Sequence, residues 1–444
     1  MWLIVLRHWS PMSRSNQVEL KVEDLSFFKV RQLWQYFWSE HPAFWFICAY
    51  LFFEYFRPQA IYPAIDVLPW AQSFLAGAIV AQFFDKKSRL QWCWTHTWLL
   101  LFALQIKLSF FFAYDPSWSE RYQIQYLQWI IIYFLVCQIV TTKERFYVFL
   151  LVFIICSLKI SIGTAVVFAS RGFSFTSWGL MGPPGYFQNS GELAIQMVVQ
   201  FCLAIYLMRA YWKKSNRFER LILLATLITP ALTIMGASSR GSQLALVAVL
   251  IYYFRWSLFK PKILVSFSII LAMLWVILPE EQLGRFQNMG EDQTSVQRML
   301  YWTNGIDMIA DHPMTGVGYY NFIPYYTDVY PNDMHFVNRQ GERVAELPHN
   351  IFIQIGTDAG VPALMFYILI VLSLKSRNKV QSDWVAFKEI HAGLYLGVVG
   401  FLIAGQFVTV GYYPFFWVSA ALITSIKQTL LTSKKERDLS QAAS

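Results

Sequence analysis

Apolar runs of near-membrane length, separated by short polar connections, make up most of the chain. They fall near 42–57, 63–84, 91–113, 123–140, 147–169, 191–209, 220–237, 241–254, 263–279, 350–374, 389–408 and 412–428. A helix needs about 20 predominantly apolar residues to cross a bilayer, so the pattern predicts an all-α polytopic membrane protein with about 12 transmembrane helices. The first and eighth runs are short for a full crossing. One segment breaks the rhythm: from Pro279 to Asn350 the chain is polar, roughly seventy residues and far above the usual connection length. It opens as PEEQLGRFQNMGEDQ and closes on ELPHN, directly before IFIQIGTDAGVPALMFYILIVLSL. Trp302, Tyr319, Tyr320, Phe322, Tyr325, Tyr326 and Tyr330 are too many aromatics for a disordered linker. A folded cap on a membrane domain is therefore expected.

Composition agrees: 56% of the 444 residues are hydrophobic, only 14% are charged, and mean hydropathy is +0.40. The formal charge of +9 does not imply nucleic acid, because the basic residues lie between apolar runs and form no basic domain. The positive-inside rule explains them instead. With a cytoplasmic N-terminus the inner connections are DKKSR, TTKER, YWKKSNRFER, RWSLFKPK, KSRNKVQSDWVAFK and the tail KQTLLTSKKER. About 25 of the 36 Lys and Arg then fall inside and about 8 outside. The expected organisation is a cytoplasmic or interfacial segment over 1–40, helices 1–9 over 41–279, a periplasmic loop domain over 280–350, helices 10–12 over 351–430 and a cytoplasmic tail over 431–444. The opening MWLIVLR is too short for a signal-peptide core, so no cleavage is expected. The five cysteines lie in or beside apolar runs and suggest neither a disulfide framework nor a CxxC metal site.

Candidate chemistry gathers on the outer face. Arg240, in TIMGASSRGSQLALV, sits in a tight turn between two spans, with Gly236 and Gly241 permitting close backbone approach. An Arg at a helix end commonly snorkels to headgroups, yet a turn this tight holds the guanidinium near the bundle, where a ligand anion would offset the cost of a buried cation. Arg298 belongs to a predicted helix through VQRMLYWTNGIDMIA, capped by Thr294 or Ser295 and stopped at Asp311, His312 and Pro313. One turn from Tyr301 and Trp302, it is either a solvated or stacked residue or a ligand to an anion. His349 stands between Pro348 and Asn350 where the loop returns to the membrane, the one histidine of seven fixed at that surface. Lys107 and Lys159 have no sequence-local acid and are assigned to a basic pocket in the outer half of the bundle. Glu54 and Arg57, at i,i+3, are expected to pair. In GPPGYFQNSGEL, Gln188, Asn189 and Glu192 mark a helix start able to contact sugar or phosphate. Lys107, Lys159, Asn189, Tyr320 and Asn350 form the candidate substrate pocket. The carboxylates Glu280, Glu281, Glu291, Asp292 and Asp333 show no DxD spacing, so no metal and no cofactor are expected.

Taken in order, ASSRGSQLAL, RMLYWTNGIDMIADHPMTGVGYYNF and LPHNIFIQIGTDAG resemble the O-antigen ligase and polymerase superfamily over roughly residues 180–370. The shared pattern is an Arg after a small-residue turn, a Trp-containing helix ending in HPxxGxGxxxF, and an HN pair opening a helix. LFFEYFRPQAIYPAID is similar to the exosortase-associated O-glycosylation ligase branch. The resemblance implies a metal-independent glycosyltransferase of the GT-C type in the bacterial inner membrane. Such an enzyme transfers a glycan from an undecaprenyl diphosphate carrier to a glycan, lipid or protein acceptor. Carried over by motif, Arg240 and Arg298 bind the diphosphate and His349 is catalytic. Guanidinium forks suit phosphate oxygens, and neighbouring cations favour a neutral imidazole able to act as a base. The alternatives are a polymerase of the same superfamily and, more distantly, a lipid or polysaccharide transporter. A transporter would be expected to show inverted repeats and broken midplane helices.

Overall fold

Hydrocarbon cannot satisfy exposed backbone groups, so a chain this apolar has to be helical wherever it crosses a bilayer. The computed structural model describes residues 29–174, 179–257, 293–338, 340–375 and 386–442, with isolated positions between 260 and 269. Among them the regular elements are helices, and β pairing is limited to one isolated bridge between Val337 and Arg343. The longer helices are α1 (Val30–Ser39), α2 (Pro42–Leu51), α3 (Trp70–Ala81), α4 (Trp94–Phe110), α5 (Gln123–Ile139), α6 (Lys143–Ser170) and α7 (Ser190–Tyr211). They continue with α8 (Arg217–Gly236), α9 (Arg240–Phe254), α10 (Gln293–Asp311), α11 (Phe322–Val329), α12 (Ile351–Leu374), α13 (Ala386–Ala404) and α14 (Pro414–Ala442).

Among the described residues, five helical stretches are long and apolar enough to cross a membrane: Lys143–Ser170, Ser190–Tyr211, Arg217–Gly236, Ile351–Leu374 and Ala386–Phe407. Trp70–Phe84, Gln123–Ile139 and Arg240–Phe254 are shorter apolar helices. The run 42–57 is helical as far as Phe56: α2 ends at Leu51 and passes into a π-helical turn, Phe52–Phe56, which Arg57 stops with a left-handed φ of 53°. The run 263–279, apart from Val265, Ser268 and Ile269, and the opening PEEQLGRFQNMGED of the long polar segment lie outside the described residues. Caps set several boundaries. Thr142, Asn189 and Asn350 each accept a backbone N–H at the start of α6, α7 and α12, and Asn216 and Glu219 form a reciprocal capping box at α8. The helix through Arg298 starts at Gln293, so Thr294 and Ser295 lie inside its first turn and are not its cap.

Two ends of the bundle are tied by different chemistry. At one end three connections converge on Arg145, whose side chain is fully buried. Its Nη1 donates to Asp85 at 2.6 Å, and its Nε and Nη2 donate to Glu40 at 2.9 and 2.6 Å. Lys87 and Tyr36 also donate to Glu40. Three of the segments that charge alone sorts to one side, around Glu40, Asp85 and Arg145, thus meet in one ion-paired cluster. Removing one partner from such a cluster typically costs about 3–5 kcal/mol, because a buried charge is left uncompensated.

At the other end the polar segment folds over the bundle around its own small core of Tyr301, Met308, Val317, Phe322, Tyr326 and Met334. It docks on a break in α12, where Ala359 and Gly360 leave helical geometry and Pro362 has no N–H to offer. The freed groups find partners in the turn that follows α10. Val317 N–H donates to the Thr357 carbonyl at 2.7 Å, Val361 N–H donates to the Pro313 carbonyl at 2.8 Å, and Tyr320 N–H donates to Asp358 Oδ1 at 3.0 Å. Gln105 on α4 donates to the carbonyls of Met314 and Ala359. The backbones approach so closely that a side chain at Gly316, which has φ +63°, would collide with the Thr357 carbonyl.

Two outcomes follow from this packing. Gly316→Ala should cost about 2 kcal/mol or more, since it adds left-handed strain to a backbone clash, and a lowered thermal unfolding midpoint in detergent would register it. Burial would raise the Asp85 pKa, but hydrogen bonds from Arg145 and Ser88 bring it down to about 2 from the usual 3.8. A carboxylate whose pKa is depressed by folding stabilises the fold above its unfolded pKa. Stability is therefore expected to fall as pH drops from about 4 towards 2, and an Asp85→Asn variant should show a shallower loss when unfolding is followed against pH.

Candidate functional site

The turn between α8 and α9 spans 237–239, and Ser238 takes a φ of +55° within it. Arg240 consequently occupies the first turn of α9, a helix end whose N–H groups and dipole favour anions. A Cβ on the next residue, Gly241, would lie 2.5 Å from Phe407, so the absence of a side chain lets α9 seat directly on that ring. Phe407 in turn meets Trp302 of α10, with centroids 6.0 Å apart. Arg298 lies one turn before Trp302 on the same helix.

The helix α10 also holds the strand-like approach to His349 at two points. Tyr301 Oη accepts the Glu346 N–H at 2.9 Å, and the Trp302 indole donates to the Pro348 carbonyl at 2.9 Å. Burial and the neighbouring Glu346 charge push the Tyr301 pKa up to about 12, which keeps it a neutral phenol. His349 has a left-handed φ of +50°, and its N–H donates to Thr409 Oγ1 at 2.8 Å. Its imidazole Nε2 stands 3.5 Å from Glu346 Oε2, with the histidine side chain 26% exposed. A carboxylate at that position can set the tautomer and orientation of the ring.

Phe407–Thr409, between α13 and α14, thus touches Gly241 beside Arg240, Trp302 one turn from Arg298, and His349 itself. The first turn of α7 joins them, because Gly191 packs against Val408 and Asn189 caps that helix by accepting the Gly191 N–H at 2.8 Å. The other pocket candidates have separate neighbours. Asn350 Oδ1 accepts from Phe352 N–H and Ile353 N–H as the cap of α12. Tyr320 is buried and stacks on Tyr122 at 4.0 Å. Lys107 lies over the Phe110 ring at 4.5 Å. Lys159 donates to the Phe56 carbonyl at 3.2 Å, a carbonyl at the end of the π-helical turn. Glu54 and Arg57 do not form the expected ion pair. Arg57, on a left-handed backbone, instead lays its guanidinium against Gly185 of the GPPG loop, while its charge still acts on the buried Glu54.

Residues 222–368, about a third of the chain, match the family model described as O-antigen ligase. That stretch is similar to O-antigen ligase domains. It contains Arg240, Arg298, His349 and the whole contact between the HPxxGxG turn and the break in α12. A domain of this family implies a glycosyltransferase-like enzyme of the O-antigen ligase or polymerase type, with a lipid-linked glycan and an acceptor as its partners. No curated protein matches the chain. Outside the matched stretch lie Asn189 and Phe407–Thr409, which the packing of Gly191 on Val408 brings together.

Sequence reading missed Glu346, Phe407 and Thr409. Glu346 had a legible signal, its i,i+3 spacing from His349 in ELPH, whereas nothing in QFVTVGYYP distinguishes Thr409 as the partner of a distant backbone N–H. Replacing Thr409 by Val leaves that N–H without an acceptor, a loss of about 1–3 kcal/mol. Thr409→Val should accordingly lower thermal stability while Thr409→Ser retains it, a pairing that separates the lost hydrogen bond from lost packing.

Proposed function

We propose that the chain is an O-antigen ligase-like glycosyltransferase of the GT-C type, independent of metal. It transfers a glycan from undecaprenyl diphosphate to an acceptor hydroxyl at the periplasmic face of the inner membrane. Arg240 and Arg298 bind the diphosphate and His349 is the base. The observation that carries this reading is that Phe407–Thr409 touches His349, Gly241 next to Arg240, and Trp302 one turn from Arg298, with Arg240 at a helix N-terminus. The sorting of basic connections by the positive-inside rule supports the outward orientation of this end.

In the proposed reaction the His349 imidazole takes the acceptor hydroxyl proton as the acceptor oxygen attacks the anomeric carbon. The bond from that carbon to the phosphate oxygen breaks, and its electron pair leaves with the diphosphate. Charge growing on the leaving group is met by the two guanidinium groups and by the first-turn N–H groups of α9, fixed in place before the reaction begins. Glu346 is a positioning residue: with its carboxylate near Nε2, it directs the Nε2 proton inward and leaves Nδ1 to accept the new one. A base opposite a leaving-group clamp, with no covalent nucleophile, gives direct displacement and inversion at the anomeric centre.

The test is to incubate the purified protein with a polyprenyl diphosphate-linked glycan, with and without lipid or protein acceptors, and to size the products. Single transfer that requires an added acceptor is expected, and a ladder of longer lipid-linked glycans from donor alone would make the protein a polymerase. His349→Ala should reduce transfer by about 10²–10⁴ while donor still binds, and Arg240→Ala or Arg298→Ala should each cost about 10²–10³. Wild-type turnover by the histidine variant would remove the proposed base.

A further inference from the structure

The end of α7 away from Asn189 carries a second feature. From Asn189 to Arg209 the helix rises about 30 Å at 1.5 Å per residue, the thickness of a bilayer's hydrocarbon core. There α7, α8 and α9 frame a cavity of about 590 Å³, within the roughly 300–1,000 Å³ typical of small-molecule pockets. Its walls are apolar, formed by Phe201, Ile205, Leu227 and Leu250, and Arg209 and Lys213 also line it. One part of the lining therefore suits a hydrocarbon chain and another suits an anion.

The cations are held where a headgroup phosphate would lie. The Arg209 guanidinium sits over the rings of Tyr206 and Tyr253 at 5.6 and 5.9 Å, and its Nε pairs with Glu389 at 3.4 Å across a half-exposed contact. Lys213 is exposed on the turn beyond α7. Trp212 and Tyr253 also line it, and such amphipathic rings favour the level of lipid headgroups. A water-soluble ligand would leave the apolar walls unused, and a protein partner would have to enter the hydrocarbon layer to reach them.

We propose that this groove binds an anionic phospholipid of the leaflet at the Arg209 end of α7, away from Asn189. One acyl chain lies against Phe201, Ile205, Leu227 and Leu250, and the phosphate lies between Arg209 and Lys213. The inference does not depend on the transferase reading. A phospholipid bound here fills the space between α7 and α9, the two helices whose opposite ends present Asn189 and Arg240.

Native mass spectrometry of the full chain, released from membranes containing both phosphatidylglycerol and phosphatidylethanolamine, tests the proposal. Retained phosphatidylglycerol should be enriched over its share of the membrane. Each cation near a headgroup contributes roughly fivefold to binding, so the Arg209→Ala/Lys213→Ala double variant should lose at least fivefold of that enrichment. Lys213→Ala alone alters an exposed side chain and keeps the test open if the double variant folds poorly. Arg217→Ala, on a residue outside the lining, should leave retention unchanged. Absence of enrichment, retention of phosphatidylethanolamine in proportion to the membrane, or enrichment that survives loss of both cations would overturn the proposal.

Discussion

A helix interrupted inside an apolar bundle leaves backbone groups that lipid cannot satisfy, and this constraint governs the half of the molecule that carries the proposed site. The interruption in α12 at Ala359 and Gly360 is stable because the turn after α10 supplies the missing partners, donating from Val317 and accepting at Pro313. The HPxxGxG pattern thereby acquires a physical meaning. Its proline ends α10, its first glycine admits the α12 backbone, and the residue between the glycines makes the bond. Polar segment and bundle are one unit here, joined through main-chain groups whose geometry leaves little tolerance.

The remaining contacts of the site build outward from that joint. With α10 fixed at its C-terminal end by the break in α12, Tyr301 and Trp302 can grip Glu346 and Pro348 from the middle of the helix. His349 is then delivered to Thr409 in a strained left-handed conformation that a looser support would release. At the far end of the bundle the Arg145 cluster does comparable work with charges in place of backbone groups. Both ends are polar, specific and sensitive to single substitutions, while the apolar middle is held by packing that many sequences would satisfy.

Much of this was legible from residue order. Apolar periodicity revealed an all-helical membrane protein, aromatic density marked the polar segment as folded, and the small residues around Arg240 foretold the close approach of α9 to its neighbour. Other features escaped because they depend on tertiary partners. The run 350–374 reads as one span and is one long apolar stretch, but the break within it, which Gly360 and Pro362 signal, is tolerated only because of the docked turn. The run 42–57 looked like a short span because its π-helical ending has no composition of its own. Asn350 drew attention beside His349, yet its side-chain oxygen is engaged in capping, a role its position at a helix start already suggested. Arg57 was matched with Glu54 by spacing alone, which assumes that the helix continues through both.

The mended break also bears on how the protein is made. Pro313 to Val317 leave the ribosome about forty residues ahead of Thr357. The turn is therefore synthesised before the helix it repairs. When α12 is made, the residues that can satisfy its interrupted backbone have already been synthesised, so the bare carbonyl of Thr357 need not await a later segment. Reversing the order of the two elements, as a circular permutation would, removes that advantage while leaving every contact of the finished fold available.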